Sequence, residues 1–149
     1  TQGAGIMNKL LDGYGPWFGK IPQRNSGALV ADRNGSVTTY ACLGMVDRGE
    51  LFIEVGTEVY NGMVLGERNR TDDLTVNITR EKKLTNMRSS GSDATVTLRP
   101  PKRLSLDQAI EFIAEDELVE ITPLSIRLRK MELDPNKRNA LRKKEKNEN

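Results

Sequence analysis

The sequence predicts an α+β fold that is mainly β and ends in helices. Between residues 27 and 98, short runs of β-forming residues alternate with turn signals every 8–15 residues. A capping box with an apolar stripe at helical spacing follows, and the chain ends in a basic, low-complexity tail. Strands and turns at this spacing are typical of a small barrel or sandwich. We therefore expect a barrel-like β domain with one packed helix and a basic C-terminal helix.

Turn residues mark the predicted strands. Ala28–Ala31 is a short apolar run, Val37–Met45 is rich in β-forming residues, and the turn at Asn34-Gly35 between them predicts a hairpin. Further strands are predicted at 51–55, 63–67, 74–78 and 94–98. The segment Gly5–Tyr14 fits either a helical face or a strand, because pattern alone does not decide a run this short.

Helical signals dominate the last third of the chain. Ser105-Leu106-Asp107-Gln108 is a capping box, and the apolar stripe of Leu106, Ala109, Ile110 and Ile113 predicts that the helix packs on the sheet through these side chains. Leu118–Ile121 is a short apolar run that ends at Thr122-Pro123, and a strand is predicted at 125–130, with Arg127 and Arg129 on a basic outer face. Asp134-Pro135 begins the C-terminal helix. We expect the carboxylates at 115, 116, 117 and 120 to form a solvated acidic edge.

Composition narrows the possible function classes. The 149 residues carry a net charge of +2, which suits one domain and a small neighbouring fragment. The chain has no His and a single Cys42, which argues against Cys–His nucleophiles, Ser–His–Asp triads and His-bearing zinc sites and favours a reducing cytosol. No apolar run approaches a membrane span, and no signal peptide is indicated. Because the sequence begins with Thr1, we expect a piece of a longer protein.

The charges are segregated along the chain. Residues 67–103 carry nine basic and five acidic side chains, residues 104–121 carry six acidic side chains and no basic one, and residues 134–149 carry six basic and three acidic ones. Basic clusters of this kind indicate a polyanionic partner or a solvated surface, and charge alone leaves both open.

The long segment 79–93 is rich in Lys, Arg, Asn, Ser and Thr, and it lacks an apolar face. These groups bind phosphates, sugars and base edges, and without an aromatic residue the segment favours backbone and shape contacts to folded RNA over base stacking. A disordered surface loop is the alternative. The candidate RNA-binding residues are Arg80, Lys82, Lys83, Thr85, Asn86 and Arg88. The secondary candidates are Arg68, Arg70, Lys102, Arg103, Arg127 and Arg129. No phosphate-binding glycine motif is present, so we expect no nucleotide binding.

Several short motifs, in the same order along the chain, resemble those of one known family. They are Gly27–Ala31, Asp47–Gly49, Gly62–Glu67, Lys82–Arg88, Ala114–Glu120, Ile126–Lys130 and Leu133–Asn136. Together they resemble the C-terminal region of the BipA/TypA family of translational GTPases, which are related to elongation factor G. The resemblance implies that residues 1–26 are the end of a ferredoxin-like, domain-V-like module plus a linker, with Gly5–Tyr14 as its closing strand. Residues 27–149 are then the family's C-terminal domain, with a frayed tail at 137–149.

The resemblance also implies a function. In the family a long loop of this domain enters the ribosomal A site, near large-subunit rRNA and the acceptor end of tRNA, and the matching positions here are 80–92. We expect a cytoplasmic, ribosome-associated monomer, or an organellar one, acting in translation, ribosome assembly or stress adaptation. No membrane, small-molecule substrate or cofactor is expected for this fragment, because GTP and Mg²⁺ belong to the GTPase domain of the parent. The alternative is a structural, protein-docking module without RNA contact, and a free-standing enzyme is weakly supported.

Overall fold

A computed structural model describes residues 5–6, 8, 10–17, 24–82 and 98–148 of the chain. In chain order the elements are β1 (Ala28–Ala31), β2 (Gly35–Ser36), α1 (Thr39–Leu43), β3 (Gly49–Leu51), β4 (Glu58–Val59), β5 (Met63–Arg68), β6 (Leu74–Val76), α2 (Leu106–Phe112), β7 (Glu117–Ile121), β8 (Ile126–Lys130) and α3 (Pro135–Glu148). The predicted α+β class, with a packed helix within 105–114 and a basic C-terminal helix, is confirmed, and α1 is a further helix that was not predicted.

One six-stranded mixed sheet organises the fold, with β5 at its centre. The order is β6-β1-β5-β8-β7, and β3 pairs with β5 beside β8. One edge of β5 bonds to β1, while its other edge bonds first to β8, at Met63 and Val64, and then to β3, from Gly66 to Arg68. Only β1 and β6 run parallel among these pairs. Within the described residues the sheet stays open, so the predicted barrel-like β domain is an open sheet rather than a closed barrel.

The core lies on both faces of β1 and β5. Leu29 and Ala31 belong to a first core that also includes Ala41 and Cys42 of α1. Ala28 and Val30 belong to a second core that includes Ala109 of α2. A strand that is apolar at every position is suited to burial on both sides. The domain therefore has three layers, with the sheet between α1 and α2.

The predicted hairpin of residues 28–31 and 37–45 is wrong. Strand β1 bonds to β5 and β6 instead, and Thr39–Leu43 forms α1. Thr38 caps this helix, because its Oγ1 accepts a hydrogen bond from the backbone N–H of Ala41 at 3.2 Å. The cap at Thr38 and the burial of one side of α1 thus override the β propensity of these residues.

Helix α2 begins with the predicted capping box, in which Ser105 and Gln108 bond reciprocally to each other's backbone N–H. The predicted packing is confirmed for Ala109, which is fully buried, and for Ile113, which packs on the second core. It is wrong for Leu106 and Ile110, which are 38% and 55% exposed. The ring of Phe112 packs edge-on against Phe52, with 5.1 Å between ring centroids. This contact turns the side of Ala109 and Phe112 toward the sheet and leaves Ile110 in solvent.

Other segment predictions have mixed outcomes. The strands predicted at 63–67, 74–78 and 125–130 are confirmed as β5, β6 and β8, and the apolar run at 118–121 lies in β7. Strand β3 overlaps the strand predicted at 51–55 only at Leu51, and β2 and β4 were not predicted. Most of the strand predicted at 94–98 lies outside the described residues. The described residues between 5 and 14 belong to neither helix nor strand, and the described part of the chain places no neighbouring strand beside them, so the closing strand stays a prediction.

Candidate nucleic-acid interface

The start of the basic segment is fixed to the folded body. After β6, the Oδ1 atom of Asn77 accepts hydrogen bonds from the N–H and the hydroxyl of Thr79, at 3.1 and 3.0 Å. The backbone N–H of Thr38 donates to the carbonyl of Ile78 at 3.2 Å, and its hydroxyl donates to the carbonyl of Arg80 at 2.5 Å. The chain is therefore anchored as far as Arg80.

Beyond this anchor the side chains are exposed. Arg80, Glu81 and Lys82 all lie on the surface. The guanidinium carbon of Arg80 lies 5.8 Å from the centre of the Tyr40 ring, within the range of a cation–π contact. Of the main candidates, Arg80 and Lys82 are thus placed together at the base of the segment. The other four, which are Lys83, Thr85, Asn86 and Arg88, lie outside the described residues.

Three secondary candidates near β5 are already paired with carboxylates. Arg68 bonds to the carbonyl of Asp72 at 2.8 Å and lies 2.6 Å from its Oδ2 atom. Lys102 Nζ lies 3.8 Å from Glu67 Oε2, and Arg103 pairs with Glu54. Arg70 is exposed, and its carbonyl accepts a hydrogen bond from Gly27 N–H at 2.5 Å. Ion pairing lowers the net positive potential that the first three groups offer to a polyanion.

Arg127 and Arg129 alternate along β8 with the buried Leu128 and Lys130, which confirms the predicted alternation, but both arginines are half-buried rather than fully exposed. Arg129 Nε lies 2.7 Å from Glu120 Oε1, and its Nη1 donates to the carbonyl of Lys130 at 3.2 Å. The other oxygen of Glu120 accepts a hydrogen bond from the Tyr60 hydroxyl at 2.5 Å. Burial, together with this bond to a carboxylate, raises the pKa of Tyr60. This face of the sheet is therefore a paired polar network.

A buried ion cluster is the feature that sequence reasoning missed. Lys130 is only 2% exposed, and its Nζ lies 2.7 Å from Asp73 Oδ2, 2.8 Å from Asp116 Oδ2 and 2.8 Å from Glu117 Oε1. Arg24 donates to both oxygens of Glu117, each at 2.9 Å. Its guanidinium carbon also lies 4.3 Å from the centre of the Phe112 ring. The cluster fixes the point at which the chain enters β1.

The expected solvated acidic edge is therefore wrong for Glu117, which is buried and paired, and for Glu120, which is half-buried and interacts with Tyr60 and Arg129. Burial raises the pKa of Glu117, but the hydrogen bond from Arg24 and the charge of Lys130 outweigh it and hold that pKa below its usual range. Burial lowers the pKa of Lys130, but the charge of Glu117 and the bonds to Asp116 and Asp73 outweigh it, so the pKa of Lys130 is raised. Both groups are held in their charged forms.

The alternation of side chains along β8 could have indicated that Lys130 is buried. Lys130 shares its face of β8 with Leu128, which belongs to the second core, and the strand register places Lys130 opposite Glu117 on β7. A lysine at a core-facing position needs a buried partner of opposite charge. The contribution of Arg24 had no such signal, because it comes from 93 residues away in the sequence.

No helix within the described residues is long and apolar enough to cross a membrane.

A family model described as the TypA/BipA C-terminal domain matches residues 26–135. Several curated proteins named large ribosomal subunit assembly factor BipA are similar to the chain. It is 46% identical to the one from Bacillus subtilis (strain 168) over 147 residues, which cover 98% of this chain and 24% of that protein.

Two further relatives match the chain with similar identity and coverage. Identity is 45% over 149 residues with the protein of Salmonella typhimurium, covering 99% of this chain and 24% of the relative. It is 47% over 139 residues with the protein of Escherichia coli (strain K12), covering 93% and 23%. The chain thus spans about a quarter of the length of these relatives. With more than half of its residues matched by the family model, the chain belongs to the TypA/BipA C-terminal domain family.

Proposed function

We propose that this chain is the ribosome-binding C-terminal part of a translational GTPase that takes part in assembly of the large ribosomal subunit. Its relatives are named as assembly factors of that subunit. The GTP-binding motifs and Mg²⁺ site belong to the remainder of the parent protein, and the parent works in the cytoplasm on the ribosome. The basic segment from Arg80 to Ser92 contacts large-subunit rRNA and the acceptor end of A-site tRNA.

One observation carries the proposed RNA contact. The chain is tied to the body up to Arg80 by the hydroxyl of Thr38, and the next side chains, to Lys82, are exposed. A basic segment that starts from a fixed point loses less conformational freedom on binding than a wholly free one. Its charges can also meet phosphates without first breaking the core.

Charge reversal of two neighbouring lysines tests the proposal. A Lys82→Glu/Lys83→Glu variant of the protein should bind purified large ribosomal subunits more weakly. The dependence of log affinity on log salt should also flatten by about one unit for each phosphate that the variant no longer neutralises. The matched control is Lys143→Glu/Lys144→Glu, which makes the same charge change at two exposed positions of α3.

The outcomes separate the possible binding surfaces. The proposal predicts a large decrease in affinity for the first variant and a small one for the control. Equal affinity of the Lys82/Lys83 variant and the parent at low salt, with a native circular dichroism spectrum, would refute the role of the segment. A decrease confined to the control would place RNA binding on α3.

A docking role is the second candidate function, and exposed apolar side chains favour it. Ile110 on α2 is exposed, as are Ile121 and Ile126, which face each other across β7 and β8. Apolar groups of this kind suit contact with another domain or a ribosomal protein. Binding through them would change little with salt, whereas binding through phosphates weakens steeply as salt increases.

A further inference from the structure

Tyr40 is an exposed aromatic ring at the base of the basic segment. The segment itself has no aromatic residue, but the fold brings this ring to it from α1, forty positions earlier in the sequence. The Tyr40 side chain is 41% exposed, and the guanidinium of Arg80 lies over it. An aromatic ring and a guanidinium are both groups on which RNA bases stack.

The two groups are held in place by one hydroxyl. Thr38 Oγ1 accepts the hydrogen bond that caps α1, from Ala41 N–H, and donates to the carbonyl of Arg80. The neighbours of Tyr40 in the helix, Ala41 and Cys42, are buried in the first core. Tyr40 therefore lies on the outer side of a helix that packing and capping both fix.

We propose that Tyr40 and Arg80 form a stacking platform for an unpaired base of RNA. The inference rests on the proposed function, to which it adds a residue and a mode of contact. The ring supplies a rigid apolar surface at low entropic cost, since only two side-chain torsions must be fixed. Arg80 adds a planar group that stacks on a base and a charge that attracts the adjoining phosphate.

The surroundings favour RNA over a protein as the occupant. Aromatic anchors of protein interfaces sit in cores from which charged residues are depleted. The exposed guanidinium of Arg80 lies over the Tyr40 ring, and the next two residues of the chain, Glu81 and Lys82, are charged and exposed. A ring beside an exposed guanidinium suits a partner that offers both a flat apolar base and a phosphate.

Two short RNA-like probes test the platform directly. Binding of the protein to single-stranded oligoadenylate is compared with binding to an abasic strand of the same length and charge. The wild type should prefer oligoadenylate. Tyr40→Ala should lower that affinity by roughly 5- to 150-fold and bring the ratio of the two affinities close to one. Tyr40→Phe keeps the ring and should retain the preference to within about twofold.

Salt separates stacking from charge. Tyr40→Ala removes no charge, so its affinity for large ribosomal subunits should fall while the salt slope stays unchanged. Arg80→Ala should lower both the affinity and the slope, the latter by about one unit. Circular dichroism and thermal unfolding check the fold, which should persist because alanine favours a helix at this exposed position.

Each outcome bears on one of the two proposals. Equal binding of oligoadenylate and the abasic strand by the wild type overturns the platform, even where the Lys82/Lys83 variant shows that the segment binds ribosomes. Weaker ribosome binding by Tyr40→Ala with an unchanged strand preference means that Tyr40 contacts a ribosomal protein, which also overturns it. Base preference that depends on Tyr40, without any effect of the lysines on ribosome binding, supports the platform and refutes the proposed role of the basic segment in ribosome binding.

Discussion

Replacing Lys130 with methionine should be among the most damaging single changes in the domain. The substitution keeps most of the length of the side chain and removes its charge. It leaves three carboxylates, those of Asp73, Asp116 and Glu117, without the ammonium group that lies within 2.8 Å of each. Arg24 remains as a cation at the cluster, with a bidentate bond to Glu117.

The magnitude follows from burial. Removing one partner of a buried ion pair costs about 3–5 kcal/mol, because the remaining charge is left poorly compensated. The side chain of Glu117 is fully buried, but that of Asp116 is 63% exposed and its share is screened by water. Since Arg24 still compensates Glu117, we expect the lower end of that range, about 3 kcal/mol. For a chain of this size such a destabilisation lowers the midpoint of thermal unfolding by roughly 10 °C.

Urea unfolding measures the effect against a matched control. Lys102→Met removes the same charge at a position that is 42% exposed, where Nζ lies 3.8 Å from Glu67, and it should cost under about 1 kcal/mol. Glu117→Gln should also cost less in the Lys130→Met background than in the wild type, because the two residues are coupled. Equal stability of the Lys130→Met and Lys102→Met variants would refute the account of the cluster.

Two further predictions concern pH and the orientation of α2. The pKa of Glu117 is lowered and that of Lys130 is raised, so the free energy of unfolding should fall as pH drops below about 4.5 and as it rises above about 10.5, with the alkaline decline reduced in Lys130→Met. A pH series of urea midpoints checks this, and a flat profile at both ends would contradict it. Ala109→Asp should cost several kcal/mol, whereas Ile110→Asp should cost under about 1 kcal/mol, since Ala109 is buried and Ile110 is exposed. Equal shifts in the melting temperature would show that the helix faces the other way.

Local sequence patterns predicted those helices and strands in which tertiary contacts favour the same structure as the local signals. The capping box at Ser105 was sufficient for the start of α2, because it depends only on residues close in sequence. The alternation at 126–130 was sufficient for β8, because the burial of its positions follows the same period of two. The strand prediction at 37–45 failed because burial of Ala41 and the cap at Thr38 decide that segment, and β propensity is easily overridden by such contacts.

The candidate site was only partly predictable for the same reason. Composition identified the basic segment and its first residues, Arg80 and Lys82. It gave no indication of Tyr40, which meets the segment only through tertiary packing. Composition also does not distinguish free basic side chains from paired ones. In the structure Arg68, Arg103 and Arg129 are already paired with carboxylates.

The number of basic side chains that are already paired with carboxylates predicts how steeply RNA binding weakens as salt increases. Sequence alone offers ten basic candidates, four in the segment 80–88 and six elsewhere. If all ten met phosphates, the salt slope would approach about nine units, whereas the six that remain when Arg68, Lys102, Arg103 and Arg129 keep their carboxylates give roughly five. Because paired groups must give up a carboxylate before they bind a phosphate, we expect the smaller slope for this chain on large ribosomal subunits. A titration over a fourfold range of salt distinguishes the two values. A slope near nine would mean that the ion pairs at β5 and β8 open on binding, and the RNA-binding surface would then extend across the sheet.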